Sequence, residues 1–478
     1  MPSLVMSGYI SRSKAILIAH MIVTCLVAGA GLLAPVVQLD LANLVYPAST
    51  LVVASFAWIL WSWFALRRTL FEPYALFMIA AFLFNGAQAL LELLGMNPSG
   101  ILQGKVSEEI LTQSLYLVAI SALCLHAGAL VAFSRKSAPK RESDDPARQR
   151  ATRLAGWILL AISFVPAIRL LKGSFDLVLD YGYLGLYKQQ AAVPVVWALS
   201  ALLVPAIIFL LAGSKSNRPT QVFCLATVGV YAGANLFLGA RGAAVMSCVA
   251  VAWVFESTIR RIPRSLILVL TIAALIVFSL VRETRDMGGR YRMSLQSQVQ
   301  TLYNLDNPVS SAIAEMGHTL VTVTHTVTLV PDVRPFDLGV SYLYAIVSVM
   351  PNLGWEVHPT VAHGLLCDWL IGIVDPVIAN SGGGLGFSFI AEAYLNFGWY
   401  GGPLWLGVIG FFVATLFLAA DGADPARQAL VASFLSFFLV FARGESAIVA
   451  RGLIWYAVAP FLLAKILTVR GRARKVRI

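Results

Sequence analysis

Charge is the scarcest commodity in this chain. Asp, Glu, Lys and Arg make up 12% of its 478 residues, about half the ~25% of a soluble globular chain. A sequence so poor in charge cannot cover itself with water-compatible surface, which excludes a freely soluble protein. Cysteine is sparse as well. Of the five, Cys25, Cys124, Cys224 and Cys248 fall inside apolar runs and only Cys367 falls outside them. No CxxC or Cys/His spacing exists, so neither a disulfide framework nor a zinc site is expected. No internal repeat is evident, which weakens a repeat-built transporter. No removable signal peptide is expected, because the apolar run that begins near residue 15 has full spanning length. The net charge of +11 invites a nucleic-acid partner. None is expected, because the basic residues sit where membrane topology needs them.

Apolar residues make up 59% of the chain, in runs of the ~20 residues that cross a ~30 Å hydrocarbon core. The pattern predicts an all-α polytopic membrane protein with about 12 transmembrane helices, near 15–37, 44–66, 73–95, 110–133, 153–171, 194–213, 222–239, 242–257, 265–281, 400–420, 428–443 and 447–467. A further apolar stretch, 386–397, is too short to span and is expected to be re-entrant or to lead into the next span. Three parts follow: helices 1–9 in 1–281, a large outer loop in 282–385, and a short helix, spans 10–12 and a basic tail in 386–478. With the N-terminus in the cytoplasm, the inner segments hold 23 of the 35 Lys and Arg residues, as the positive-inside rule requires. An even span count returns the C-terminus to the cytoplasm.

The remaining 12 basic residues need a reason. Most cluster at the outer ends of the later spans and in the long loop. Arg282, Arg285, Arg290 and Arg292 open that loop. Arginine offers a planar, permanently charged fork that matches phosphate oxygens; the plainer reading is ion pairing with Glu283 and Asp286 or attraction to anionic lipid. Arg241, Arg443 and Arg451 either snorkel to the interface or face an anionic partner. A structureless loop of this length is improbable. Amphipathic segments near 294–304, 310–330, 338–350 and 361–378 predict a helical cap. If 311–326 is helical, Glu315, His318, Thr322 and His325 share one stripe, suited to proton transfer or simply turned to water. Ser388, Glu392 and Asn396 form a polar line on an apolar helix, where a carboxylate is expensive unless paired or functional. A local Arg–Glu pair is expected among Arg443, Glu445 and Arg451, leaving a positive excess for an anion.

The blocks EMGHTL at 315–320, SYLYAIVSVMPN at 341–352 and GLGFSFIAEAYLNFGWYGG at 384–402 resemble the O-antigen polysaccharide polymerases of the Wzy type. The LGARG segment at 238–242 agrees with them. The resemblance implies a helical periplasmic cap on a fold like the C superfamily of membrane glycosyltransferases, in the bacterial inner membrane. It implies undecaprenyl-pyrophosphate-linked repeat units as substrates, with the growing glycan moved from its lipid pyrophosphate to the non-reducing end of a fresh unit at the periplasmic face. Metal independence, and a chain-length-determining membrane protein and a flippase as partners, are implied too. Carried onto this chain, Arg241, Arg282, Arg285, Arg290, Arg443 and Arg451 become pyrophosphate binders. Glu392, Glu315 and His318 become catalytic candidates, and Asn396, Ser388 and Tyr394 acceptor-orienting ones. The chain departs from the wider group in lacking an outer-loop Arg or His followed by ten residues and a glycine, which leaves the base unassigned. The alternatives are a transporter or flippase for lipid-linked oligosaccharides, and an O-antigen ligase using the same donor.

Overall fold

The computed structural model describes residues 2–33, 36–97, 99–136, 145–183, 185–188, 194–284, 300, 303, 307–422 and 424–476. Among these residues all regular structure is helical. Ten helices are long and apolar enough to cross a membrane, eleven if one bent pair is counted as a span. They are α1 (Pro2–Leu33), α2 (Val45–Arg67), the bent pair α3 (Pro73–Asn85) and α4 (Ala87–Leu93), α5 (Glu108–Arg135), α6 (Pro146–Tyr181), α7 (Pro194–Ala212), α8 (Arg218–Leu238), then α10 (Arg264–Thr284), α15 (Phe389–Leu418), α16 (Pro425–Arg443) and α17 (Ser446–Gly471).

The expected count of about 12 exceeds this set by one or two. The predicted span 242–257 is a helix, α9 (Arg241–Thr258), that falls outside the set by length and composition, because Arg241 and Glu256 dilute its apolar content; its ends nonetheless reach opposite ends of the bundle, Arg241 at Glu315 and Ser257 at Gln428 in the first turn of α16. The predicted short segment 386–397 is a short helix that leads into the next span, one of the two outcomes expected for it. It is the first part of the 30-residue α15, which turns at Gly398 (φ 69°, ψ −163°) and continues as the expected span. At Gly398 the backbone leaves helical geometry, so two helices meet there at a kink.

Local chemistry explains where the spans begin. Asp145 and Asp424 each accept the backbone N–H two residues on, and a proline follows each at the first helical position. Asn217 caps α8 in the same way, with a proline in its first turn. The cap residue satisfies an orphan amide while proline needs none. Close packing depends on glycine. A Cβ at Gly128 of α5 would collide with the carbonyl of Gly407 in α15, and one at Gly410 with that of Leu125. Small residues let two membrane helices meet backbone to backbone.

The loop from 307 to 385 is helical as expected: α11 (Pro308–Gly317), α12 (Leu320–Leu329), α13 (Val340–Val347), α14 (Leu366–Val374) and two five-residue turns of helix. The expected segment 294–304 lies almost wholly outside the described residues. These helices cap the end of the bundle where α15 starts. The ends of α2, α5 and α15 lie on the opposite side.

Candidate functional site on the cap side

The third expected span is broken. α3 and α4 meet at an angle of 65°, and Asn85, fully buried at the break, donates to the carbonyls of Ala81 (3.1 Å) and Ala442 (2.9 Å). A broken span exposes polar backbone, which is tolerated where protein or a cavity satisfies it. Two groups of the predicted residues lie on either side of this break.

On one side stands the polar line of α15. Ser388 caps the helix and donates to Asn85 Oδ1 at 2.7 Å. Glu392 is 1% exposed. Its carboxylate accepts from the hydroxyls of Ser341 (2.9 Å) and Ser446 (2.6 Å) and from the Ser446 amide (2.8 Å). Asn396 donates to Ser341 Oγ and accepts from the Gly339 amide, both at 2.8 Å. Tyr394, 2% exposed, donates to the Val330 carbonyl. The line thus joins α15 to the start of α13 and to the corner between α16 and α17. Among the described residues no arginine is a partner of Glu392.

The corner itself differs from expectation. Glu445 pairs with neither Arg443 nor Arg451. It is 3% exposed and accepts the amides of Leu366 (2.9 Å) and Cys367 (3.3 Å) at the start of α14. Capping a helix gives the carboxylate two donors that a guanidinium would otherwise supply. Burial raises its pKa, against the pull of those amides. Burial also raises the neighbouring Cys367 thiol, and the Glu445 carboxylate adds to the rise. Arg443 is exposed with its guanidinium over the Phe84 ring. Its backbone presses on Gly386 (φ 73°), where a Cβ would stand 3.2 Å from the Arg443 carbonyl. Arg451 is exposed, donates to the Ser348 carbonyl at 3.0 Å, and has no carboxylate partner among the described residues.

Across the break, Gln88 donates to the Ala314 carbonyl at 2.8 Å and fixes α11 against α4. This sets Glu315 opposite Arg241. LGARG forms the tight turn between α8 and α9, with Gly239 left-handed (φ 86°) and Arg241 in the first turn of α9. Arg241 meets Glu315 in a two-pronged ion pair at 2.5 and 2.9 Å and also donates to the Phe278 carbonyl. The predicted stripe is interrupted. α11 ends at Gly317 and α12 begins at Leu320, so Thr322 is buried while His318 is exposed. Burial lowers the pKa of His325, and the nearby His318 lowers it further. The side chain of Arg282, and Arg285, Arg290 and Arg292 entirely, lie outside the described residues.

A match between the chain and the family model of the O-antigen polysaccharide polymerase Wzy runs over residues 16–472. The chain belongs to this family. As a Wzy-family member it is a polysaccharide polymerase and a multi-pass membrane protein, and membership implies lipid-linked oligosaccharide substrates. No curated protein and no solved structure matches it.

Sequence reading missed several polar groups. Asn85 looked like part of an unbroken span. His20 and His126, both fully buried, form a network inside the bundle. Trp58 donates to His20 Nδ1 at 3.0 Å, His20 Nε2 lies 2.9 Å from the Leu123 carbonyl, and Tyr74 and Ser62 flank the two ring nitrogens of His126 at 2.9 and 2.8 Å. Ionisable residues within predicted spans were the available signal. Among the described residues no group of three His, Cys, Asp or Glu stands together as a metal site would need.

Proposed function

We propose that this polymerase acts on undecaprenyl-pyrophosphate-linked repeat units, transferring the growing glycan from its lipid pyrophosphate to the non-reducing end of a fresh unit. The observation that carries the reading is the family match over nearly the whole chain. The distribution of basic residues supports a cytoplasmic location for both termini, which makes the cap side periplasmic. Residues 1–281 and 386–478 then form the membrane body and 282–385 the cap. A flippase supplying the units and a chain-length-determining membrane protein are the partners this chemistry calls for.

The step is a direct displacement. A sugar hydroxyl oxygen of the acceptor bonds to the anomeric carbon of the donor, and the carbon–oxygen bond to pyrophosphate breaks. The pyrophosphate leaves with the electron pair. Arg443 and Arg451 at the α16–α17 corner, with Arg241 and the loop residues Arg282, Arg285 and Arg290, neutralise it. Fixed charges do this with little reorganisation. Among the three candidate proton acceptors, His318 is exposed, Glu315 is engaged with Arg241, and Glu392 is enclosed by three donors. We therefore assign the hydroxyl proton to His318, a contribution worth about 10²–10⁴-fold. Glu315 positions Arg241. Glu392 positions the corner that carries the arginines, and a direct role for it requires release of one of its donors. Ser388, Asn396 and Tyr394 shape the wall on which the acceptor rests.

The test is polymerisation of purified lipid-linked repeat units in nanodiscs. A ladder of longer lipid-linked glycans is expected from the wild type. Folded Arg451→Ala and Arg241→Ala protein should lose it, and His318→Ala should slow it. Movement of the units across the bilayer with no ladder would overturn the reading in favour of a transporter.

A further inference from the structure

A groove of about 1,410 Å³ opens between α1 and α15 on a floor of α5, away from the candidate site. Its lining runs from Thr112 and Tyr116 to Arg135 along α5. At 1.5 Å per residue the stretch from Tyr116 to Arg135 covers about 28 Å, close to the ~30 Å of a hydrocarbon core. The walls are apolar, with Leu404, Val408 and Phe411 of α15 facing the Met21–Leu32 stretch of α1.

The two ends differ. Near the cap the lining ends in neutral polar groups: Gln38, Thr112, Gln113 and Tyr116. At the opposite end stands Arg135, the one charged residue in the lining among the described residues. Its guanidinium lies 5.6 Å from the centre of the Phe411 ring, and it has no carboxylate partner among the described residues. The next residue behaves differently: Lys136 reaches Asp421 at 2.7 Å, and Asp421 also holds Arg67. Asp421 is thus already occupied, and Arg135 is left at the mouth of an apolar channel.

We infer that the groove holds one anionic phospholipid from the leaflet on the Arg135 side, its phosphate on Arg135 and its acyl chains along α5 towards Tyr116. That leaflet is the cytoplasmic one in the orientation proposed above. The charge pattern selects this occupant over a polyprenyl pyrophosphate, whose head must sit at the cap end, where the lining offers no cation. It also selects against a zwitterionic amine headgroup, because among the described residues the lining contains no acid to take the ammonium. The lipid would fill the seam between the loosely held α1 and the α5–α15 pair.

Native mass spectrometry of the detergent-purified protein tests this with added phosphatidylglycerol and phosphatidylethanolamine in equal amounts. One phosphatidylglycerol per wild-type chain should be retained in preference to phosphatidylethanolamine. Arg135→Gln should cut that preference at least fivefold, Arg135→Lys should keep it, and Leu404→Trp, which fills the groove, should reduce retention of both lipids. Arg260→Gln, an exposed cation elsewhere on the chain, should behave as wild type. Equal preference in wild type and Arg135→Gln would overturn the inference. So would a co-purifying polyprenyl phosphate that Leu404→Trp displaces and Arg135→Gln does not. The readout is binding, so it stands whether or not the polymerisation chemistry proposed above is correct.

Discussion

The two ends of the helical bundle handle their carboxylates in opposite ways. On the side away from the cap, acids are taken by bases. Asp421 holds Arg67 and Lys136, and Asp424 holds Lys465 at 2.9 Å with Arg148 and Arg427 near 3.8 and 3.7 Å. On the cap side the two buried acids, Glu392 and Glu445, accept from hydroxyls and backbone amides instead. Arg451 is therefore left without a carboxylate among the described residues. At one end these acids are held by bases, although Arg135 there has no carboxylate partner among the described residues; at the other the buried acids leave Arg451 to an anion. The pyrophosphate departure proposed above is better served by the second arrangement, because an arginine paired with an acid leaves little net charge for an anion. Arg241 with Glu315 and Arg334 with Asp337 are cap-side exceptions, and the first is a pair whose partner must be exchanged or shared if Arg241 is to hold an anion.

The sharpest way to break the comparison is at Glu392. Its removal in Glu392→Ala strands the Ser341 and Ser446 donors in a buried seam, at roughly 1–3 kcal/mol for each orphaned group. Melting of the purified protein should drop more than for any other variant proposed here. Glu392→Gln keeps part of the acceptor capacity and should melt between the two. If Glu392→Gln melts like the wild type yet makes no ladder, the carboxylate takes part in the chemistry. If activity falls only as stability falls, it is a support for the corner, as proposed.

Next in size is the contrast between Arg451 and Arg241. Arg451→Ala leaves no acid stranded, so melting should stay near wild type while polymerisation falls by about 10²-fold or more, the scale seen when a transition-state charge donor is removed. Arg241→Ala strands Glu315 and should cost both stability and activity. The double variant Arg241→Ala/Glu315→Ala should recover melting and not the ladder. Recovery of both would reduce the pair to a strut between α9 and α11.

How much of this was legible in the sequence follows from the range of each interaction. Spanning helices are written in local composition, and nearly all were found within a few residues. The polar line Ser388–Glu392–Asn396 was legible because it repeats at helical spacing. What closes the line was not, since Asn85 is 303 residues from Ser388 and reads as a lone amide in an apolar run. The break at Gly398 was legible too, since α15 leaves helical geometry there (φ 69°, ψ −163°) in a conformation that glycine adopts without strain. The Glu445 cap on α14 was hidden for another reason. An acid between two arginines looks like an ion pair, and nothing local shows that two amides 78 and 79 residues away will claim it first.

The smallest effect concerns pH, and it tests the same contrast. Burial raises Asp421, but hydrogen bonds and charge from Arg67 and Lys136 outweigh it, so its pKa falls below the ordinary 3.8. An acid depressed in the folded state contributes stability above its unfolded value, and that contribution is lost as pH falls through the folded one. Glu445 runs the other way. Its pKa is raised above the ordinary 4.5, so its contribution is full below that value and lost as pH rises through the folded pKa. Melting measured from pH 3 upward should therefore lose its acid-side decline in part with Asp421→Asn, at a cost of roughly 1 kcal/mol near neutrality for a partly exposed pair. Glu445→Gln should instead flatten the decline above pH 4.5. If both substitutions moved the same limb of the profile, the two ends of the bundle would not be handling their carboxylates differently, and the case for charge held in reserve on the cap side would rest on Arg451 alone.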